Sequence, residues 1–388
     1  MSKAKNPYMR GPQVEPLFLE GKGEIAPLVD QVFARSGYNA RRLAEACHNF
    51  RRMIEADATV CLTVAGAMTP IGMSGPIITL MEKGFVDWII STGANLYHDL
   101  HRPFDAPVVQ GDFRVDDNEL YKHGVARIYD TFIEDKDTLE ATDRVILEAV
   151  SAWPDDERPL STAEFHDLLG KGVQELAPHP EKSFLAAAHR LGVPVYTSSP
   201  GDSSIGMNLV LPRLLGRKVL LDPVQDVLET AAIVRASRKN GVVELGGGSP
   251  KNFFLQTQPT LWQILRDNRG GHDFFIQITT DAPHWGGLSG ATPSEAKSWG
   301  KVKDARKNNV VVYACSSLAF PILAKYVLET VEPREPKRLM EKRASFLERL
   351  ERRAARNPVL QKELDVVRRW IGGEGGTRRK DGRKKKGR

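Results

Sequence analysis

The stretch "GVVELGGGSPKN", residues 241–252, decides how the chain is read: a short β-rich run ends in three glycines, and a serine-proline pair then opens a helical pattern. Taken alone, Gly246, Gly247 and Gly248 make a tight strand-to-helix turn and need no further purpose. The same grammar recurs. "VCLTVA" (60–65), "VDWIIST" (86–92), "VPVYTS" (193–198), "KVLL" (218–221), "FFIQIT" (274–279) and "VVVYAC" (310–315) read as strands. Between them lie helical patterns at 40–56, 223–239 and 318–331. Strand, crossover and strand in alternation predict an α/β fold, a doubly wound and mostly parallel sheet with helices on both faces.

At 388 residues the chain suits one large body with terminal additions. Residues 1–57 read as an N-terminal arm and helix, 58–331 as the α/β domain, 332–371 as helices outside the body, and 372–388 as a tail. Acidic, irregular sequence over 103–160 predicts an excursion from the sheet. With 41% hydrophobic and 27% charged residues, the composition is that of a globular protein. No apolar run reaches the length of a spanning helix and the N-terminus lacks a signal-peptide core, so a cytoplasmic protein is expected.

Charge is unevenly placed. Residues 377–388, "TRRKDGRKKKGR", carry eight Lys/Arg against one Asp, more than the whole chain's +6, so the body is slightly acidic. That distribution argues for a solvated tail rather than a specific nucleic-acid reader. Cys47, Cys61 and Cys315 are far apart and read as reduced, buried thiols, with neither a disulfide framework nor a zinc site. His98 and His101 in "YHDLH" lack a third ligand, so no metal is expected.

Several strand ends run into small residues: "STGAN" (91–95), "SSPGDSSIG" (198–206) and "TTDAPHWGGLSGATP" (279–293). In a doubly wound sheet, ligands bind outside the carboxyl ends of the strands, where glycine loops bring phosphates to backbone N–H groups. None matches GxGxxG, and no serine satisfies GxSxG, which disfavours an esterase. The last loop leads into "ATPSEAKSWGKVK" (291–303). There Thr292 reads as an N-cap, Pro293 as the first helical residue, Glu295, three residues after the cap, as its capping-box partner and Gly300 as the helix stop. Lys301 emerges just beyond, beside Trp299. An ordinary solvated cation at a helix end explains it; so does an amine desolvated by an aromatic wall, as imine chemistry requires.

The run "SGATPSEAKSWGKV" (289–302), taken with "GGGSPKNF" (246–253) and "VVVYACSSLAFPIL" (310–323), resembles the deoxyhypusine synthase family, over roughly residues 58–330. The resemblance implies a Rossmann-like, NAD-binding homotetramer with sites shared between subunits. In that family hydride passes from spermidine to NAD, and the aminobutyl group passes as an imine to a lysine and on to an acceptor amine. By resemblance Lys301 is that lysine, Trp299 lines the amine tunnel and Glu295 sits beside them. Thr92, Asp202, Gly247, Gly248, Thr280, Gly286, Ser289 and Ala314 fall where the family contacts NAD, while Pro70 and Cys315 replace a family asparagine and aspartate. The amine side departs further: Met207, Trp285, Leu288 and His98 stand where the family places acidic residues, and Asn252 replaces its catalytic histidine. An unpaired buried ammonium costs several kcal/mol. The pattern therefore resembles the bacterial deoxyhypusine synthase-like branch, and implies an aminoalkyl transferase acting on a small-molecule amine, as homospermidine synthases do. His98 and Asn252 are the candidates for proton transfer. Two other readings stand beside it: a true deoxyhypusine synthase with a protein lysine as acceptor, and a catalytically degenerate NAD-binding subunit.

Overall fold

The computed structural model describes residues 6–372, with residues 14, 17, 19–23 and 154–157 excepted. The tail expected over 372–388 lies, apart from Gly372, outside the described residues.

The body is a six-stranded sheet. Its strands are β1 (Thr59–Val64), β2 (Trp88–Ser91), β6 (Val195–Tyr196), β7 (Asn240–Leu245), β8 (Phe274–Thr279) and β9 (Asn309–Tyr313), while β3 (Val108–Gln110), β4 (Val125–Ile128) and β5 (Thr131–Glu134) form a separate antiparallel sheet. The large sheet runs β6-β2-β1-β7-β8-β9, every pair parallel, so the order reverses between β1 and β7. The doubly wound α/β expectation holds.

Alternate residues of a strand face opposite sides, and here both sides are covered, which is why the strands read as near-continuous apolar runs. Val60, Leu62, Val243, Ile276 and Val312 pack under the helices Tyr38–Glu55, Ser74–Glu82 and Ser316–Thr330. On the other face Cys61, Trp88, Val242 and Phe275 pack under Pro223–Ala236 and Gly248–Pro259.

Three expectations need correction. "KVLL" (218–221) is not a strand: among the described residues it pairs through an isolated bridge from Leu221 to Leu160. The 103–160 excursion is not irregular, since it holds the small sheet and the helix Ala141–Ala152. Cys315 is exposed, unlike the buried Cys47 and Cys61. Among the described residues no helix is long and apolar enough to cross a membrane.

The C-terminal helices Leu339–Arg356 and Pro358–Ile371 are expected outside the body, and the first is held to it by the buried Leu339 and Leu350, by Arg353 on Asp267 and by a charge cluster at Arg343. Arg343 reaches Glu164 at 2.6 Å and the buried Glu229 at 3.2 Å. Glu229 also accepts from Tyr196 Oη at 3.1 Å and Gln225 Nε2 at 3.0 Å. Removing the guanidinium strands a buried carboxylate. Arg343→Met is therefore expected to lower the unfolding free energy by about 3 kcal/mol, read from urea denaturation.

Candidate active site

Four loops converge at the carboxyl end of the sheet. Ala65 and Gly66 follow β1, Gly246 and Gly247 follow β7, Thr279, Thr280 and Asp281 end β8, and Ala314, Cys315 and Ser316 follow β9; with Ser289 they line a cavity of about 260 Å³. It sits at the reversal of strand order, where open parallel sheets take their ligands.

Backbone chemistry shapes it. Gly246 and Gly248 adopt φ of +74° and +56°, which turns the chain from β7 straight into the helix Gly248–Pro259 and leaves that helix's N-terminus at the cavity. Gly247 is needed for a different reason: a Cβ there would lie 2.4 Å from Ser289 Cα. Ser289 Oγ accepts from Gly248 N at 2.9 Å, and Gln277 Nε2 donates both to Gly246 O (2.9 Å) and to Ser289 O (2.6 Å). The turns after β7 and β8 are thus locked together.

One helical turn beyond Gly248, Asn252 meets the lysine. Lys301 Nζ donates to Asn252 Oδ1 at 3.3 Å and lies 5.7 Å from the Trp299 ring centroid. The expected local structure is present: Thr292 Oγ1 accepts from Glu295 N at 3.2 Å, the helix runs Pro293–Ser298, and Gly300 stops it at φ +69°. Only that half of the expected capping box forms. Burial pushes the half-buried Lys301 ammonium below the ordinary lysine value, while the Glu295 carboxylate acts in the opposite direction. Trp299 remains 60% exposed, so it walls one side of the amine and leaves the other open.

Of the residues expected at the cofactor, Gly247, Thr280, Ser289 and Ala314 line the cavity and Gly248 adjoins it. Thr92 follows β2, where its Oγ1 accepts from Asn95 Nδ2 at 3.1 Å. Asp202 lies in the turn after β6, against Gly93. Gly286 occupies an exposed left-handed turn outside the cavity lining. His98 is not joined to the Lys301 cluster within the chain. Its Nδ1 lies 2.8 Å from His101 Nε2, and His101 Nδ1 lies 2.7 Å from Thr142 Oγ1. Burial, with the charge of Arg102 in second place, brings His98 down to about 4, so it is neutral. Met207, Trp285 and Leu288 are exposed. Cys315 lines the cavity, and the Ser317 hydroxyl, 2.9 Å from its Sγ, holds the thiol below its usual value. Sequence reasoning missed Ala65, Gly66, Asp281 and Ser316, whose only signal was their place just beyond strand ends, and it missed the buried Lys251 altogether.

The family model for deoxyhypusine synthase matches residues 28–327. The chain belongs to the deoxyhypusine synthase family. A deoxyhypusine synthase-like protein of Nostoc punctiforme is 44% identical over 352 residues, covering 88% of this chain and 89% of that protein. A Methanosarcina mazei protein named "Probable deoxyhypusine synthase 2" is 39% identical over 301 residues, 77% of this chain and 85% of its own. A solved structure from Entamoeba histolytica, provisionally named a deoxyhypusine synthase, superposes with a TM-score of 0.53 over 81% of this chain and 96% of its own at 16% identity, and so speaks for the fold.

The locked turns of this deoxyhypusine synthase-family site make a direct prediction. Gly247→Ala should cost about 2 kcal/mol, because the Ser289 backbone must move, whereas Gly287→Ala, with open space around its Cβ, should stay within about 0.5 kcal/mol of the parent in thermal unfolding.

Proposed function

We propose that the chain is an NAD-dependent aminoalkyl transferase in which Lys301 holds the transferred group as an imine and passes it to a small-molecule amine. The observation that carries the reading is the contact between a half-buried Lys301 and Asn252, one turn along the helix whose N-terminus borders the glycine-lined cavity.

The residues present fit a nucleotide. Left-handed glycines at the helix start and after β1 leave room above the backbone, since a Cβ on Gly248 or Gly66 would meet nothing within 4 Å. Gly247, Gly248, Thr280, Ser289 and Ala314 would hold one half of NAD. A cavity of about 260 Å³ falls short of the roughly 300–1,000 Å³ of drug-sized ligand sites. Thr92, Asp202 and Gly286 would serve the other half, or the site of a neighbouring subunit in a homotetramer. The exposed Met207, Val210, Leu211, Leu214 and Leu215 give such an assembly an apolar surface to cover. Cys315 stands where the resemblance implies an adenosine-side aspartate, which leaves Asp281 as the acidic residue lining the cavity.

NAD, when bound, supplies the acceptor for a hydride from the donor amine and returns that hydride to the product. Lys301 does the covalent work. Its neutral Nζ adds to the oxidised imine carbon of the donor, the nitrogen that carbon already carried takes up a proton and leaves as an amine, and a lysine imine remains until the acceptor amine displaces Lys301 in turn. Asn252 Oδ1 accepts from Nζ and orients it. Trp299 shields one side from water, and Glu295 stands near enough to stabilise the charged form of the amine when the proton returns. With exposed Met207, Trp285 and Leu288 in place of carboxylates, a donor with two ammonium ends finds little charge pairing at those positions. A small amine, handled in the cytoplasm, is the better substrate.

The test is borohydride trapping with NAD and a panel of spermidine, putrescine, agmatine and 1,3-diaminopropane, followed by peptide mass mapping. The expected result is an NAD-dependent adduct on Lys301 whose mass identifies the transferred group; Lys301→Ala should lose the adduct and keep NAD binding. Full transfer by Lys301→Ala would refute the covalent route, and turnover only with a protein lysine as acceptor would replace the small-molecule reading.

A further inference from the structure

The cavity wall that follows β1 is held from outside itself. Residues 65–73 form turns rather than helix or strand, with Gly66 and Ala67 exposed and Met68, Thr69 and Pro70 buried. A loop of this kind must find partners for its buried backbone groups elsewhere. It finds them in a side chain that the chemistry above does not use: Asn95, 1% exposed, the third residue of the helix Gly93–Asp99 that follows β2.

Asn95 Oδ1 accepts from Met68 N at 3.0 Å and Thr69 N at 3.2 Å, and its Nδ2 donates to Gly66 O at 2.7 Å and Thr92 Oγ1 at 3.1 Å, with Val64 O at 3.5 Å. Thr69 Oγ1 returns a bond to Asn95 O at 2.8 Å. A carboxamide has two N–H groups and two lone pairs, and here all four are engaged. The partners also fix its orientation, because backbone N–H groups face one end and oxygens the other. Arg102, from just beyond the same helix, donates to Thr69 O at 2.7 Å and to Pro70 O, so the far end of the loop is held from the same side.

One of these partners is the cavity wall itself. Gly66 lines the cavity, at φ +74° and with open space where a Cβ would stand. Its carbonyl and the Thr92 hydroxyl bond to the same nitrogen, so the two oxygens are no more than 5.8 Å apart, the sum of the two bonds. The Asn95 amide is thus the spacer between the ends of β1 and β2, and β1 borders the reversal of strand order. Asparagine suits the place because it does two jobs at once. An aspartate would keep both acceptor bonds but turn an oxygen toward Gly66 O, and an alanine would leave the buried Met68 and Thr69 N–H groups unpaired.

We propose that Asn95 is a positioning residue for the cofactor: its carboxamide holds the Gly66 wall at the spacing from Thr92 that the bound nucleotide requires. Gly66 carries the surface that the cofactor meets, and Asn95 acts through it. The proposal rests on reading the glycine-lined cavity as the NAD site.

The test is NAD binding by the full-length protein in isothermal titration calorimetry, with the melting temperature taken on the same samples. Asn95→Asp should bind NAD about tenfold more weakly than the parent, the worth of one or two lost hydrogen bonds, while Met68 and Thr69 stay paired. Asn95→Ala should lose at least as much affinity. Thr230→Val supplies the contrast. It removes a buried hydroxyl that donates to Asp226 O at 2.7 Å in the helix Pro223–Ala236, on the other face of the sheet, and it should melt earlier with NAD affinity unchanged. A merely structural Asn95 would follow that pattern, and a lowered melting temperature at parental NAD affinity in either Asn95 variant overturns the proposal. Failure of the cofactor reading looks different: the parent itself would then not bind NAD, and the proposal falls with it. Should Asn95→Ala fail to fold, Asn95→Asp, which keeps both acceptor bonds, decides alone.

Discussion

The site depends on one close approach between two backbone turns. Gly247, after β7, packs against Ser289, after β8, at a distance that excludes even a methyl group, and Gln277 ties Gly246 O to Ser289 O from below. Both segments of the Lys301–Asn252 contact hang from these two turns. The first opens the helix that carries Lys251 and Asn252, and the second leads through Thr292 to Lys301. Because both are fixed to adjacent parallel strands, Asn252 and Lys301, 49 positions apart in sequence, meet without help from a flexible loop.

The central sheet was legible because its strands are buried on both faces and so are apolar at nearly every position. Where burial is one-sided or absent, the same reasoning failed in both directions. "KVLL" is apolar enough for a strand, yet lies beyond the sheet with one bridge to Leu160. Residues 125–134, by contrast, pair as a hairpin although Arg127 and Glu134 dilute the pattern, because Val125 and Phe132, with Val109 and Leu120, bury one side of the small sheet and Ile133 is buried on the other.

The candidate site divides in a similar way. The helix from Pro293 to Ser298, its Thr292 cap and its Gly300 stop are local, so a sequence window contains everything that specifies them. The expectation that Lys301 carries chemistry came from resemblance, and its contact with Asn252 required the fold. Lys251 was invisible for a physical reason. A lysine near the start of a helix is normally solvated, and the acceptors that let this one be buried, Gln277 Oε1 on β8 and the Ser289 and Ala291 carbonyls, stand 26 to 40 positions away, a distance no local pattern spans.

The helix Gly248–Pro259 has a mechanical consequence. Its first residue borders the glycine-lined cavity and its fifth touches the Lys301 amine, a separation of about 6 Å along a rigid rod at 1.5 Å per residue. A rod has no slack. Any ligand that draws the glycine turn toward itself must carry Asn252 with it, so occupancy at one end is reported at the other as a displacement of the amide that steers Lys301. Cofactor and lysine would then be timed by a strut within one subunit, with no domain closure required.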